Sequence, residues 1–400
     1  MSAAKPKAQE LLETLGIPDR KIERVLTIQL GAIAISNSDH RWIDDQYPFE
    51  ARQRAERSDR GEEAKVDTLY EQVVESLRRC KQVQDFRVID PSAPKFAMKS
   101  LLGQLVYGPA VRLLVNLPVA QQKYHFEPFK LATPVEKCVA FVSGSLWSVT
   151  WELEDFEFSG LIAQEFREVL RGALAQQPGL FARLAGRSPL GFSIYVLVDS
   201  SEESDLHFAE HGGNLIAVVP RGLAEFREDD DRELGYGILK IHHLPLLTMF
   251  AGLVAHEYAG ACRREARTRF QDMTRCALDT EEAPVWNPVR RLRLARQGNR
   301  HFVHLMSAYA EAEDAQARAR QDSESMQRSL GRENFLRLPV ASLVEEFREE
   351  DALPTSLVES ARSLGADIQG GRRWLVTAAI STAAAVLGAL VTWLVSGWRC

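Results

Sequence analysis

The chain has 400 residues, 45% of them hydrophobic and 26% charged, a globular composition that excludes collagen-like, low-complexity and wholly disordered classes. Its 49 basic side chains against 55 acidic ones give a net charge of −6, so no global positive field exists to hold nucleic acid. Five scattered cysteines, odd in number and without a CxxC pair, exclude a disulfide framework and fit a reducing compartment.

The first apolar run, Val25 to Ser36, contains Thr27 and Gln29 and follows 24 mostly polar residues, which argues against a signal-peptide core. Residues 37–61 are polar, charged and aperiodic and predict a mobile loop, so 1–61 reads as an N-terminal helical segment followed by that loop. From Glu62 to Cys80, residues Val66, Leu69, Tyr70, Val73, Val74, Leu77 and Cys80 recur at helical spacing and predict a core-packing helix. Short apolar runs then predict strands at Phe86 to Ile89, Val111 to Leu117, Cys138 to Val142, Leu146 to Leu153, Phe192 to Val198 and Leu215 to Val219. A helical pattern over Gly160 to Leu174 lies among them, and residues 62–231 read as an α/β domain with a mixed sheet.

No P-loop, GxGxxG, GxSxG, HExxH or kinase set occurs in the chain. Gly144 and Ser145 close an apolar strand, and Asp155 and Glu157 follow on either side of Phe156. That order resembles the nucleotidyltransferase family. The resemblance implies divalent ions held by Asp155 and Glu157, with Asp199 as a third carboxylate, activating a hydroxyl and stabilising a leaving pyrophosphate. The chain departs from the family pattern where Leu146, Trp147 and Val149, rather than a second small residue, follow the Gly-Ser. The same stretch also reads as a β-hairpin, with Val149, Trp151 and Leu153 alternating with Thr150, Glu152 and Glu154, and Ser143-Gly144-Ser145 as its turn.

His207, His211, His242, His243 and His256 crowd one window with Asp205 and Glu257, but no short pair has zinc-ligand spacing, and no metal is assigned. Strand signals stop after the acidic run Glu228 to Asp231, and residues 232–330 read as a helical arm. Leu244 to Ala255 is strongly apolar but only 12 residues long, which predicts a buried helix rather than a span. Pro284 and Pro288 break the helix, and Val289 to Leu330 resumes as a polar one. Its start, Val289 to His304, holds Arg290, Arg291, Arg293, Arg296 and Arg300 and no acid, a basic face suited to anionic headgroups or a partner.

Residues 331–373 read as a stalk or linker. Beyond them Leu375 to Val395 runs 21 residues without a charge, and as a helix rising about 1.5 Å per residue it would match a bilayer core of about 30 Å. Arg372, Arg373 and Arg399 flank it, and Trp374, Trp393 and Trp398 sit where aromatic rings prefer the headgroup boundary. Residues 374–396 therefore read as a single C-terminal transmembrane tail anchor, with the N-terminal bulk cytoplasmic. The excess of arginine over lysine hints at a bacterial inner membrane. Thr377, Ser381, Ala385, Gly388 and Thr392 form a small-residue stripe suited to helix packing. The expectation is a tail-anchored interaction or effector protein that binds membrane lipid and a protein partner or its own copies, without nucleic acid or cofactor. The alternatives are a metal-dependent nucleotidyltransferase-like enzyme and a membrane-perturbing effector.

Overall fold

The computed structural model describes residues 12–13, 16, 22–36, 46–58, 65–101, 103–117, 137–152, 159–177, 180–184, 194–199, 207–211, 214–220, 234–284, 286–330 and 358–370, with isolated positions 337, 341, 345, 377, 381, 384, 386 and 387. These residues divide into two compact units. One comprises Met1–Arg41, Ala55–Glu257 and Gln316–Glu349, the other Trp42–Arg54, Tyr258–Ala315 and Glu350–Cys400.

The first unit is built on an 11-stranded sheet ordered β10-β11-β9-β1-β7-β6-β5-β2, from which β3, β4 and β8 branch. In chain order the strands are β1 (Ile22–Ser36), β2 (Val83–Ile89), β3 (Phe96–Ser100), β4 (Gly103–Tyr107), β5 (Ala110–Asn116), β6 (Lys137–Ser143), β7 (Leu146–Glu152), β8 (Phe181–Leu184), β9 (Ile194–Asp199), β10 (His207–His211) and β11 (Asn214–Pro220). Neighbours are antiparallel except β9 and β11, which run parallel, so the sheet is mixed, as expected. The branch arises in β1: Leu26 to Ala32 pairs with β7, whereas Ile33 to Ser36 turns to β8 and Ile35 meets Gln104 of β4.

Residues 1–61, expected as a helical segment and loop, thus supply the central strand of the sheet, and they also supply a helix, α1 (Pro48–Ser58). Both faces of β1 are covered, since Val25, Leu26, Ile28, Leu30, Ile33 and Ile35 are all buried, and a doubly covered strand loses the alternation that marks a half-wet one. On one face α2 (Val66–Arg78) and α3 (Ser159–Ala175) bring Leu69, Tyr70, Val73, Phe166 and Leu170 onto Leu113, Ala140, Trp147, Val149 and Trp151. On the other lies α4 (Leu234–Ile241), close enough that a Cβ on Gly235 would stand 2.7 Å from the Ser148 hydroxyl.

Two long helices, α5 (His243–Glu282, 40 residues) and α6 (Pro288–Ser329, 42 residues), contribute to both units. The apolar start of α5 is a buried element as expected, with Leu246, Leu247, Phe250 and Val254 inaccessible. In the helical unit, residues 358–370 form a further helix, α7. A Cβ on its Gly365 would lie 3.0 Å from the Phe302 ring, and Ile368 fills the space over Gly298, so small residues set the α6–α7 spacing. Among the described residues no single helix is long and apolar enough to cross a membrane. The expected span, Leu375 to Val395, falls almost wholly outside them, although Thr377, Ser381, Ala384, Val386 and Leu387 are helical.

Candidate functional site

The Gly-Ser motif is the turn of a β-hairpin. Ser143 pairs with Leu146, Gly144 has φ +62°, and Ser145 is not among the positive-φ residues, the pattern of a two-residue II′ turn. The Ser145 hydroxyl accepts the Val106 N–H at 2.8 Å, its N–H donates to the Val106 carbonyl at 2.6 Å, and its carbonyl accepts from Ile33 N–H at 2.8 Å. Every polar group of Ser145 is therefore engaged with backbone. Asp199 is buried and pairs with Ile22, whereas the turn begins where Leu146 pairs with Ala32. Ten residues of β1 separate those two registers, about 33 Å at about 3.3 Å per residue, so Gly144 and Ser145 do not share a ligand with Asp199. Asp155 and Glu157 lie outside the described residues.

The histidines are likewise dispersed. His243 stacks on Tyr107 at 4.4 Å between centroids and its Nδ1 lies 2.8 Å from the Lys240 carbonyl, while His256 Nδ1 lies 3.2 Å from Gln316 Oε1. Among the described residues no group of three or more His, Cys, Asp or Glu is arranged to hold a metal ion. Of the anchor residues, Arg372, Arg373, Trp374, Ala385, Gly388, Thr392, Trp393, Trp398 and Arg399 are outside the described residues.

The densest polar constellation was not foreseen from the sequence, and it lies in the helical unit. Tyr258, Cys262, Glu265, Arg269, Asp272 and Cys276 recur every three or four residues along α5 and so share one face. Glu265 is fully buried and accepts the Phe49 N–H at 2.6 Å at the start of α1. Arg269, also buried, pairs with Glu50, lies 3.5 Å from Glu265, and stacks its guanidinium 3.6 Å from the centre of the Tyr47 ring. Tyr47 in turn donates its hydroxyl to Asp272 at 2.7 Å. From α6, Arg300 approaches Glu50 at 3.5 Å and Glu311 pairs with Arg52 at 2.9 Å.

The protonation states follow from these partners. Burial pushes the Glu265 carboxyl above its ordinary range, against the opposing pull of the Phe49 N–H and Arg269. Burial also acts to raise Glu50, but the Arg269 hydrogen bond and charge, with His304 and Arg300, outweigh it and hold the carboxyl low. His301 is lowered by burial first and by Arg269, against Asp272. Arg269 Nη1 lies 3.4 Å from His301 Nδ1, which also stands 3.8 Å from the Asp272 carboxylate. The charges are mutually consumed: the network clamps residues 47–52 onto α5 and α6.

Beside the network, α5, the start of α6 and α7 enclose a cleft of about 230 Å³ lined by Cys276, Thr280, Arg291, Leu294, Leu364 and Ile368 among others. That is below the usual range of about 300–1,000 Å³ for small-molecule sites. Arg291 is fixed by donating Nε to the Thr280 carbonyl at 3.1 Å, and burial, aided by Asp279 and Asp272, raises the Cys276 thiol and keeps it protonated. No known protein family, curated protein or solved structure matches this chain.

Proposed function

We propose that the chain is a membrane-anchored interaction protein, held at the cytoplasmic face by Leu375 to Val395 and binding a protein partner or its own copies through its folded units. The observation that carries this reading is the run of 21 uncharged residues bracketed by Arg372, Arg373 and Arg399 and by Trp374, Trp393 and Trp398. The commitment of Ser145 to backbone hydrogen bonds and of the α5 charges to one another supports a scaffold over a catalyst. Lipid is one partner in this reading, and the stripe Thr377, Ser381, Ala385, Gly388 and Thr392 provides a face for helix association within the bilayer.

Fractionation tests the anchor. The full chain is expected in the membrane pellet and resistant to alkaline carbonate, and a chain ending at residue 371 in the supernatant. Full-length protein released by carbonate would overturn the anchoring. Crosslinking in intact membranes followed by detergent extraction tests the second half, and a monomer without crosslinked species would overturn it.

A further inference from the structure

The turn between α5 and α6 carries a surface that the network and the cleft leave unused. Trp286 is 83% exposed and Val289 76%, with Leu278 and Leu292 also open, an unusual exposure for large apolar side chains in one short stretch. Arg290, Arg293 and Arg296 are exposed on the α6 side, where no acid occurs between Val289 and His304, while Asp279, Glu281 and Glu282 are exposed on the α5 side. Asn287 caps α6 by accepting the Arg290 N–H at 3.1 Å, Pro288 occupies the first helical position, and Arg291 ties α6 back to Thr280.

The last described helix before the apolar segment runs toward the same end of the helical unit. α7 runs antiparallel to α6, with Gly365 over Phe302 and Gln369 hydrogen-bonded to Asn299 at 3.3 Å, so it advances toward the start of α6. Its described residues reach Gly370, and five residues separate that position from Leu375, at most about 18 Å in a fully extended chain.

We infer that this turn is a second membrane contact, docking on the anionic surface of the bilayer with Trp286 and Val289 at the headgroup boundary and Arg290, Arg293 and Arg296 against lipid phosphates. Tryptophan is favoured at that depth, and each arginine near an anionic leaflet contributes on the order of 1 kcal/mol. The direction of approach rests on the anchoring reading; the contact itself is made by residues of the α5–α6 turn.

The test uses the full chain in vesicles of phosphatidylcholine with and without phosphatidylglycerol, taking the emission lost in Trp286→Phe as the Trp286 signal. Lipids brominated near the headgroup end are expected to quench that signal, and aqueous iodide to quench it less than in detergent. The docked-to-undocked ratio should fall roughly fivefold for each of Arg290→Gln and Arg293→Gln. Flotation and carbonate extraction of the same samples separate the two readings. Carbonate-resistant protein whose Trp286 stays open to iodide and dark to bromolipid overturns the docking and leaves the anchor standing. Protein stripped by carbonate yet quenched by bromolipid at neutral pH supports the docking without the span. Absence of flotation overturns both, and shielding of Trp286 only when another protein co-purifies overturns the lipid assignment.

Discussion

Glu265 is the residue whose environment departs furthest from what its chemistry prefers. The Phe49 N–H and the Arg269 charge 3.5 Å away oppose the cost of burying that carboxyl, and removing one member of such a set leaves the others less compensated. Glu265→Leu is expected to lower the unfolding free energy by about 3–5 kcal/mol in urea titration. His301 gives this cluster its pH dependence. Its folded pKa lies below the ordinary 6.5, so the unfolded chain binds the proton first. The stability it supports is complete above about pH 6.5 and falls as acid takes the pH down through the unfolded and then the folded value. Melting profiles of His301→Gln should be flatter over that window than those of the parent, and an unchanged slope would remove His301 from the account. Gly144 marks the opposite case, a residue whose demand was legible. The hairpin signal around Ser143-Gly144-Ser145 is local, and the structure adds only that a Cβ there would stand 2.4 Å from the Val106 carbonyl. The α5 network was not legible, because its partners, such as Phe49 and Glu265, lie 216 positions apart and nothing in either segment names the other.

At the scale of elements, legibility follows how many faces are wet. α2, half exposed, shows its apolar stripe openly, and the strands from β5 to β7 show turn residues between apolar runs. β1 is covered on both sides and branched between two ladders, which erases alternation, and its buried Thr27 and Gln29 disguise it further. α1 is short and charged, and what holds it is the tertiary pairing of Glu50 and Arg52 rather than its own pattern. α6 is instead built against its own dipole: its first turn has no acid, and Arg290 and Arg291 stand where negative charge is favoured. Arg290→Glu should therefore raise the thermal midpoint, by an amount corresponding to about 0.3–1 kcal/mol, while weakening the docking of Trp286. A basic helix start that costs stability is intelligible when an anionic surface compensates it. α7 allows a separate check. Gly365→Val would drive methyl groups into the Phe302 ring and lift the helix from Cys276, which Leu364 and Ile368 help to enclose. Native-state maleimide labelling of Cys276 should accelerate in that variant, with Cys276→Ser as the control.

For the molecule as a whole, net charge and the proposed anchoring pull in different directions. Setting aside Arg372, Arg373 and Arg399 turns 49 basic side chains into 46 against 55 acidic ones, about −9, so on the proposed reading an anionic leaflet would repel the folded bulk and attract only the arginines of the α5–α6 turn. Division into two units was hidden from the sequence, because the helical one is assembled from three separated stretches, Trp42–Arg54, Tyr258–Ala315 and Glu350–Cys400. The first and second of these are joined by the Glu50, Glu265 and Arg269 cluster, and the third by Gly365 and Ile368 on α6. A chain ending at residue 371 keeps the Glu50, Glu265 and Arg269 cluster and the α6–α7 packing, and on the anchoring reading it should leave the membrane while unfolding thermally near the midpoint of the detergent-solubilised parent. Its residual attraction to phosphatidylglycerol vesicles should come from the turn alone. That attraction should fade as salt shortens the Debye length from about 10 Å at 0.1 M to about 3 Å at 1 M, whereas retention of the full chain, governed by apolar transfer, should not. Equal salt sensitivity of the two chains would overturn the anchoring reading and assign any vesicle binding to surface charge rather than to the uncharged segment.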